Sequence, residues 1–189
     1  SAAPLGHRRT AAGPADIGRL EDRGFELGDG VYEVIKIMNG RLVWLQDHLE
    51  RLERSLAAVS LSGALAEHPL EIVLPELVGR SGVARGSVYT QVTRGWAPRD
   101  FLFPHPPYPT VLAYARNKPG PAPEDILRGT ALHPVGDLRW ARCDIKSTNL
   151  PAAVLAKEAA HQAGADEALF MAPDGLVREG GSSNTFAVI

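Results

Sequence analysis

Between Val31 and Val59 the hydrophobic period of the chain changes once, and that change limits the folds open to it. In VYEVIKIM, residues 31–38, Val31, Glu33, Ile35 and Ile37 share one face of an extended strand. Tyr32, Val34, Lys36 and Met38 share the other. Asn39-Gly40 is the dipeptide of a tight hairpin turn, and Arg41–Leu45 returns as a second strand. Leu49, Leu52, Leu56 and Val59 then recur at three- and four-residue spacing. That spacing predicts an amphipathic helix from about Asp47 to Ser60, with Asp47 as N-cap and Glu50 three residues on. A hairpin running straight into a helix calls for a sheet with a helix on its apolar face. Glu33 breaks that face, and a carboxylate there needs a partner.

The rest of the chain extends the pattern. A second helix is expected over Pro69–Val78, bent or broken at Pro75. SVYTQVTRG and TVLAYAR read as strands around the loop WAPRDFLFPHPPYP. NKPGPAPED, residues 117–125, has the proline and glycine content of a linker. Beyond it a short strand near Thr130–His133, a helix from about Asn149 to Ala163, a strand Glu167–Ala172, the turn Pro173-Asp174-Gly175 and a last strand in NTFAVI are expected. The domains expected are a loosely ordered lead-in over 1–21, an α+β domain over 22–116, the linker over 117–125, and the first part of a second domain over 126–189. NTFAVI reads as a strand in want of a neighbour, so the expectation is a fragment of a longer chain.

Composition excludes several classes. A net charge of -2 leaves no basic field for nucleic acid. One cysteine, Cys143, forbids an internal disulfide framework, fits a reducing, cytoplasmic setting, and is most simply a small buried residue. No apolar run reaches the ~20 residues that span a bilayer. His48 has no second histidine at ligand spacing, so metal is not expected.

Lys146, in RWARCDIKSTNLP, stands just ahead of an expected helix start, where Leu150, Val154 and Leu155 require burial. Desolvation and the positive helix end both favour an uncharged amine, as a Schiff-base lysine needs; a solvated lysine is the alternative. REGGSSNTF suits either an anion-binding nest or a plain polar turn, and Glu179 in it could pair with a ring nitrogen. Gly28 and Gly30 precede a strand, not a helix, so they make no dinucleotide site. Arg51 suits an anion clamp or a solvated surface, and Arg99 a carboxylate clamp or a solvated loop.

Taken together, DRGFELGDGVYEV, DHLERLERS, QVTRGWAPRDFLFP, RWARCDIKSTNL, AVLAKEAA and EGGSSNTF resemble, in order, the fold-type IV pyridoxal-phosphate enzymes, and among them the D-amino-acid transaminases. The resemblance runs from about Asp22 to Ile189. It implies an α+β, two-domain aminotransferase architecture whose second domain is truncated here, and pyridoxal 5′-phosphate as cofactor. It implies Lys146 as the lysine bonded to the cofactor and as proton carrier, with Tyr32 beside it. Arg51 would hold the phosphate, Glu179 would pair with the pyridine nitrogen, and Gly181, Ser182 and Ser183 would form the cofactor loop. Arg99 would belong to a substrate-carboxylate trap reaching across a homodimer interface. The substrates implied are an amino acid, D-alanine for example, and a 2-oxo acid.

Two features depart from the pattern. The trap of the family reads Pro-Arg-x-His, and here it is Pro98-Arg99-Asp100-Phe101, in which Phe101 donates no hydrogen bond. The second is length: the usual family chain continues well past Ile189, into residues that complete the phosphate cup and the second domain; within the cofactor loop, Gly181 stands where the D-amino-acid enzymes often carry a serine. Branched-chain aminotransferase and aminodeoxychorismate lyase are the rivals inside the fold. A truncated, non-catalytic dimerisation or regulatory relative is the rival outside it.

Overall fold

The computed structural model describes residues 21–188, so the expected lead-in over 1–21 lies, but for Glu21, outside the described residues. The chain forms two compact units, the first containing the residues up to Gly120 together with Asp144–Asn149, the second Pro121–Cys143 with Leu150 onward. Both mix helices with strands, in keeping with the expected α+β class.

Among the described residues the first element is a short helix α1 (Arg23–Leu27), which pattern alone did not reveal. Asp22 caps it by accepting from Gly24 N at 2.8 Å, and Gly28 ends it at φ 66°, the left-handed turn glycine makes at least cost. Strands β1 (Gly30–Met38), β2 (Arg41–Leu42), β3 (Arg85–Thr93) and β4 (Thr110–Asn117) make one sheet in the order β2-β1-β3-β4, all antiparallel. Helices α2 (Leu45–Ala58) and α3 (Leu70–Ser81) bring their apolar stripes into the same core. That core joins Val31, Ile35, Ile37, Val88 and Val92 of the sheet to Leu52, Leu56, Leu70, Leu74 and Val78 of the helices.

Three local expectations change. The return strand stops at Leu42, because Trp44 turns left-handed at φ 52° and α2 starts at Leu45. Asp47 is therefore a first-turn acid that favours the helix dipole, and not the cap. Helix α3 continues through Pro75, whose cost of about 3 kcal/mol is offset by burying Leu70, Leu74 and Val78.

In the second unit α4 (Pro123–Arg128) occupies the tail of the stretch that reads as linker. Strands β5 (Leu132–Gly136), β6 (Glu167–Met171) and β7 (Val177–Gly180) form a sheet in which β5 and β6 are parallel and β7 antiparallel. Helix α5 (Pro151–Gln162) makes the crossover and packs Ala156 and Ala160 against Ala168 and Phe170. Leu150, Val154 and Leu155, expected to be buried, are exposed, because the small alanines form the contact face of α5. The last strand expected in NTFAVI is not formed over Asn184–Val188, where Phe186 and Val188 stand in solvent.

Candidate functional site

Lys146 sits on a strand edge. Tyr32 N donates to Lys146 O at 3.0 Å, Thr148 N donates to Gly30 O at 3.0 Å, and Val31 and Ser147 pair antiparallel. Lys146 N donates to Ser55 Oγ of α2 at 3.3 Å, and the neighbouring Ile145 is buried in the core of the first unit. Helix α5 starts only at Pro151, so the expected position at a helix start gives way to one fixed by β1 and α2. The Nζ atom lies 3.4 Å from the Tyr32 hydroxyl and 4.4 Å from the centre of its ring. Tyr32 begins a row of stacked phenols: Tyr89 follows at 5.5 Å and Tyr114 at a further 5.2 Å. Burial, with Tyr114 and Tyr32 close by, pushes the Tyr89 hydroxyl up to about 12.

Arg51 is placed from beneath the sheet. Glu33, facing inward from β1 with no exposed surface, accepts from Arg51 Nε at 2.5 Å and from Arg51 Nη2 at 2.7 Å. His48 Nδ1 lies 2.8 Å from the same carboxylate. His48, Arg51 and Ser55 recur at three- and four-residue spacing, so one face of α2 carries all three. Burial alone would raise the Glu33 carboxyl, but the hydrogen bonds and charges of Arg51 and His48 prevail and hold it below the carboxylate range. The partners that Glu33 required are thus the Arg51 guanidinium and the His48 ring, both on the adjacent helix.

The 99–103 loop is organised by an arginine that pattern reading passed over. Arg23, almost wholly buried, donates to Asp29, to Asp100 O at 2.5 Å and to Leu102 O at 3.2 Å. Its adjacency to the Gly-Asp-Gly of residues 28–30 was the available signal. Arg99 is exposed, with its guanidinium 5.7 Å from the centre of the Phe101 ring. The Asp100 carboxylate accepts from Leu102 N at 3.3 Å, and so turns back on its own loop.

In the second unit, Glu179 is bonded to Arg139, which also grips Asp137 at 2.8 Å and lies 4.4 Å from the centre of the Phe170 ring. The Gly181-Ser182-Ser183 loop is held by Glu167, which sequence reading had not singled out. Glu167 Oε2 accepts from the Ser182 hydroxyl at 3.0 Å and from the Ser183 hydroxyl at 3.1 Å, while Lys157 pairs with Oε1 at 3.0 Å. Both hydroxyls therefore turn toward a carboxylate. A Cβ on Gly181 would meet Glu167 Oε1 and the Lys157 chain at 3.1 Å, tight contacts that either side chain would have to yield to admit. Cys143, expected to be buried, is exposed in a loop, its Sγ 3.1 Å from Trp140 O. Among the described residues no cluster of His, Cys, Asp or Glu is arranged to hold a metal ion, and no helix is long and apolar enough to cross a membrane.

The model of the family described as amino-transferase class IV matches residues 30–189. The chain belongs to the class IV aminotransferases. It is 43% identical over 167 residues to a D-alanine aminotransferase of Bacillus licheniformis, covering 88% of this chain and 58% of that protein. The chain thus spans less than two thirds of that relative. By fold it is similar to a 4-amino-4-deoxychorismate lyase of Pseudomonas aeruginosa, at TM-score 0.69 and 22% identity over 89% of this chain and 62% of that one. It is likewise similar to a branched-chain aminotransferase of Thermoproteus uzoniensis, at TM-score 0.68 and 23% identity over 86% of this chain and 57% of that one. At that identity the likeness concerns the fold. Pyridoxal 5′-phosphate is the cofactor of the class IV aminotransferases.

Proposed function

We propose that this protein is a transaminase that moves an amino group between an amino acid, D-alanine or a similar D-amino acid, and a 2-oxo acid. The observation that carries the reading is the Lys146 amine, held beside the Tyr32 hydroxyl on a segment that β1 and α2 fix from two sides. Each unit carries donors of the kinds the cofactor needs. In the first, Arg51 keeps its Nη1 donors clear of Glu33 for a phosphate and Lys146 offers the amine; in the second, Glu179, bonded to Arg139, would be the carboxylate for a ring nitrogen. When bound, pyridoxal phosphate supplies an electrophilic carbonyl and an electron-withdrawing ring. Lys146 would hold the cofactor and then carry a proton at Nζ to and from the substrate carbon, with the Tyr32 hydroxyl steadying that amine.

Ser182 and Ser183 would shape the cofactor loop through their bonds to Glu167, and Gly181 through its N–H donated to Ala168 O at 2.9 Å. Arg99 would meet the substrate carboxylate in a homodimer, and the setting would be cytoplasmic. D-amino acids are favoured by the 43% identity to a D-alanine aminotransferase. Phe101, apolar and exposed where the resemblance puts a histidine, counts against a D-amino-acid trap, and so an L-branched substrate or aminodeoxychorismate is the second reading.

The purified protein should take up pyridoxal phosphate with a visible absorbance that borohydride removes and Lys146→Ala abolishes. A colourless protein unable to take it up would leave a non-catalytic relative. Half-reactions with D-alanine, L-leucine and aminodeoxychorismate choose among the substrates, and turnover of L-leucine alone would overturn the first choice.

A further inference from the structure

Glu33 is a carboxylate in a place where its fold asks for an aliphatic side chain. Val31, Ile35 and Ile37 share its face of β1, and all four residues are fully buried. A buried ion pair of this kind can usually be replaced by packed apolar groups with no loss of stability, so burial gives no reason for a charge here. The geometry supplies one. Glu33 takes the Nε and Nη2 edge of Arg51 at 2.5 and 2.7 Å, the paired contact that fixes a guanidinium in plane and in direction. The arginine side chain remains 46% exposed, and among the described residues no bond engages Nη1, whose two N–H groups can meet a second anion. His48 Nδ1 sits 2.8 Å from Glu33 Oε2, so the carboxylate is shared and the guanidinium keeps more of its outward positive field.

We propose that Glu33, assisted by His48, is a positioning residue that holds Arg51 ready for the phosphate group of the cofactor. The inference rests on the reading of Arg51 as the phosphate holder. An arginine on a free four-carbon stem must lose rotamer freedom when it captures an anion, whereas one clamped in advance has already lost it. Glu33 therefore acts only through Arg51, and its effect belongs to the phosphate and not to the aldehyde or ring.

The test compares pyridoxal phosphate with pyridoxal, which lacks the phosphate, as titrants followed by the absorbance of the lysine adduct. In Glu33→Gln the affinity for pyridoxal phosphate should fall by about tenfold or more, while that for pyridoxal stays within about twofold. In an Arg51→Lys background the same change should lose its selectivity, since a lysine offers no planar fork to orient. Equal losses for both titrants, or an unchanged ratio, would overturn the proposal. His48→Gln is the second variant should Glu33→Gln fail to fold. Being partly exposed, it should show a smaller loss confined to pyridoxal phosphate, and a loss shared by both titrants would count against the idea. If the unmodified protein takes up neither titrant, the transaminase reading falls, and this inference with it. An unmodified protein that binds both, beside a Glu33→Gln variant with the same ratio, sinks this inference alone.

Discussion

Glu33 and Glu167 are both carboxylates withdrawn from water, and they are answered in opposite ways. Glu33, within a sheet face of valine and isoleucine, is met by a two-point arginine contact and a histidine. Glu167, at the start of β6, is met by one half-exposed lysine, two serine hydroxyls and the N–H of Ala168. A planar guanidinium gripped at two points makes a rigid clamp, while hydroxyls and a lysine on a long stem make an adaptable hub. The surrounding cores differ in the same sense. The first unit packs branched aliphatics from four strands and two helices. The second rests on alanines around Phe170.

The largest effect should come from removing volume in the first unit. Leu52→Ala is expected to destabilise it by about 3–5 kcal/mol, measured by chemical denaturation, and a loss under 1 kcal/mol would show that this core is slack. The second unit should suffer from the opposite change. Ala160→Leu is expected to cost about 1–3 kcal/mol by overpacking α5 against β6, and a neutral result would mean that α5 can move away.

Acid separates the two carboxylates next. Burial raises the Glu167 carboxyl, but Lys157, the Ala168 N–H and Ser182 outweigh it, so Glu167 and Glu33 both sit below the ordinary value of 4.5. Groups of this sort contribute stability that is complete above pH 4.5 and is lost as pH falls through the depressed native value. Melting temperatures from pH 7 to 3 should therefore fall less steeply in Glu33→Gln than in the unmodified protein. Glu167→Gln should flatten the curve less, because its partners are mostly neutral; an equal flattening would erase the distinction drawn above.

The smallest effect concerns Tyr89. With its hydroxyl at about 12 against 10.0 for a free phenol, it holds its proton in the folded state while the unfolded chain loses it. Its contribution is complete below pH 10 and is lost as pH rises toward 12. Ultraviolet titration should show one tyrosine ionising late, and Tyr89→Phe should remove that step.

Much of this was legible in residue order. The alternation in Val31–Met38 gave both the buried face and the anomaly of Glu33, because a strand has a period of two whatever packs on it. The leucine spacing gave α2 for the same reason. The start of α2 was misread because Trp44 adopts a left-handed turn that no tryptophan advertises. Val154 and Leu155 misled because hydrophobicity ranks them above alanine, while close approach of α5 to its sheet favours the small side chain. Lys146, Tyr32 and Arg51 were legible as candidates. The strand edge beneath Lys146 was not, since the pairing of Val31 with Ser147 is a long-range event without local signature. Glu167 was invisible likewise, its serine partners lying 15 and 16 residues further on.

That strand edge also has a history in time. Lys146 follows Tyr32 by 114 residues, and the chain builds Pro121–Cys143 into another compact unit in between. At usual rates of synthesis the Gly30–Tyr32 edge of β1 waits on the order of ten seconds for its partner segment. During that interval the first unit emerges from the ribosome with an open edge, the kind that recruits neighbouring chains. The lysine that would do the chemistry is thus also the piece that closes the sheet. Slowing translation between residues 121 and 143 should therefore show first as aggregation of nascent chains, before any change in the finished protein.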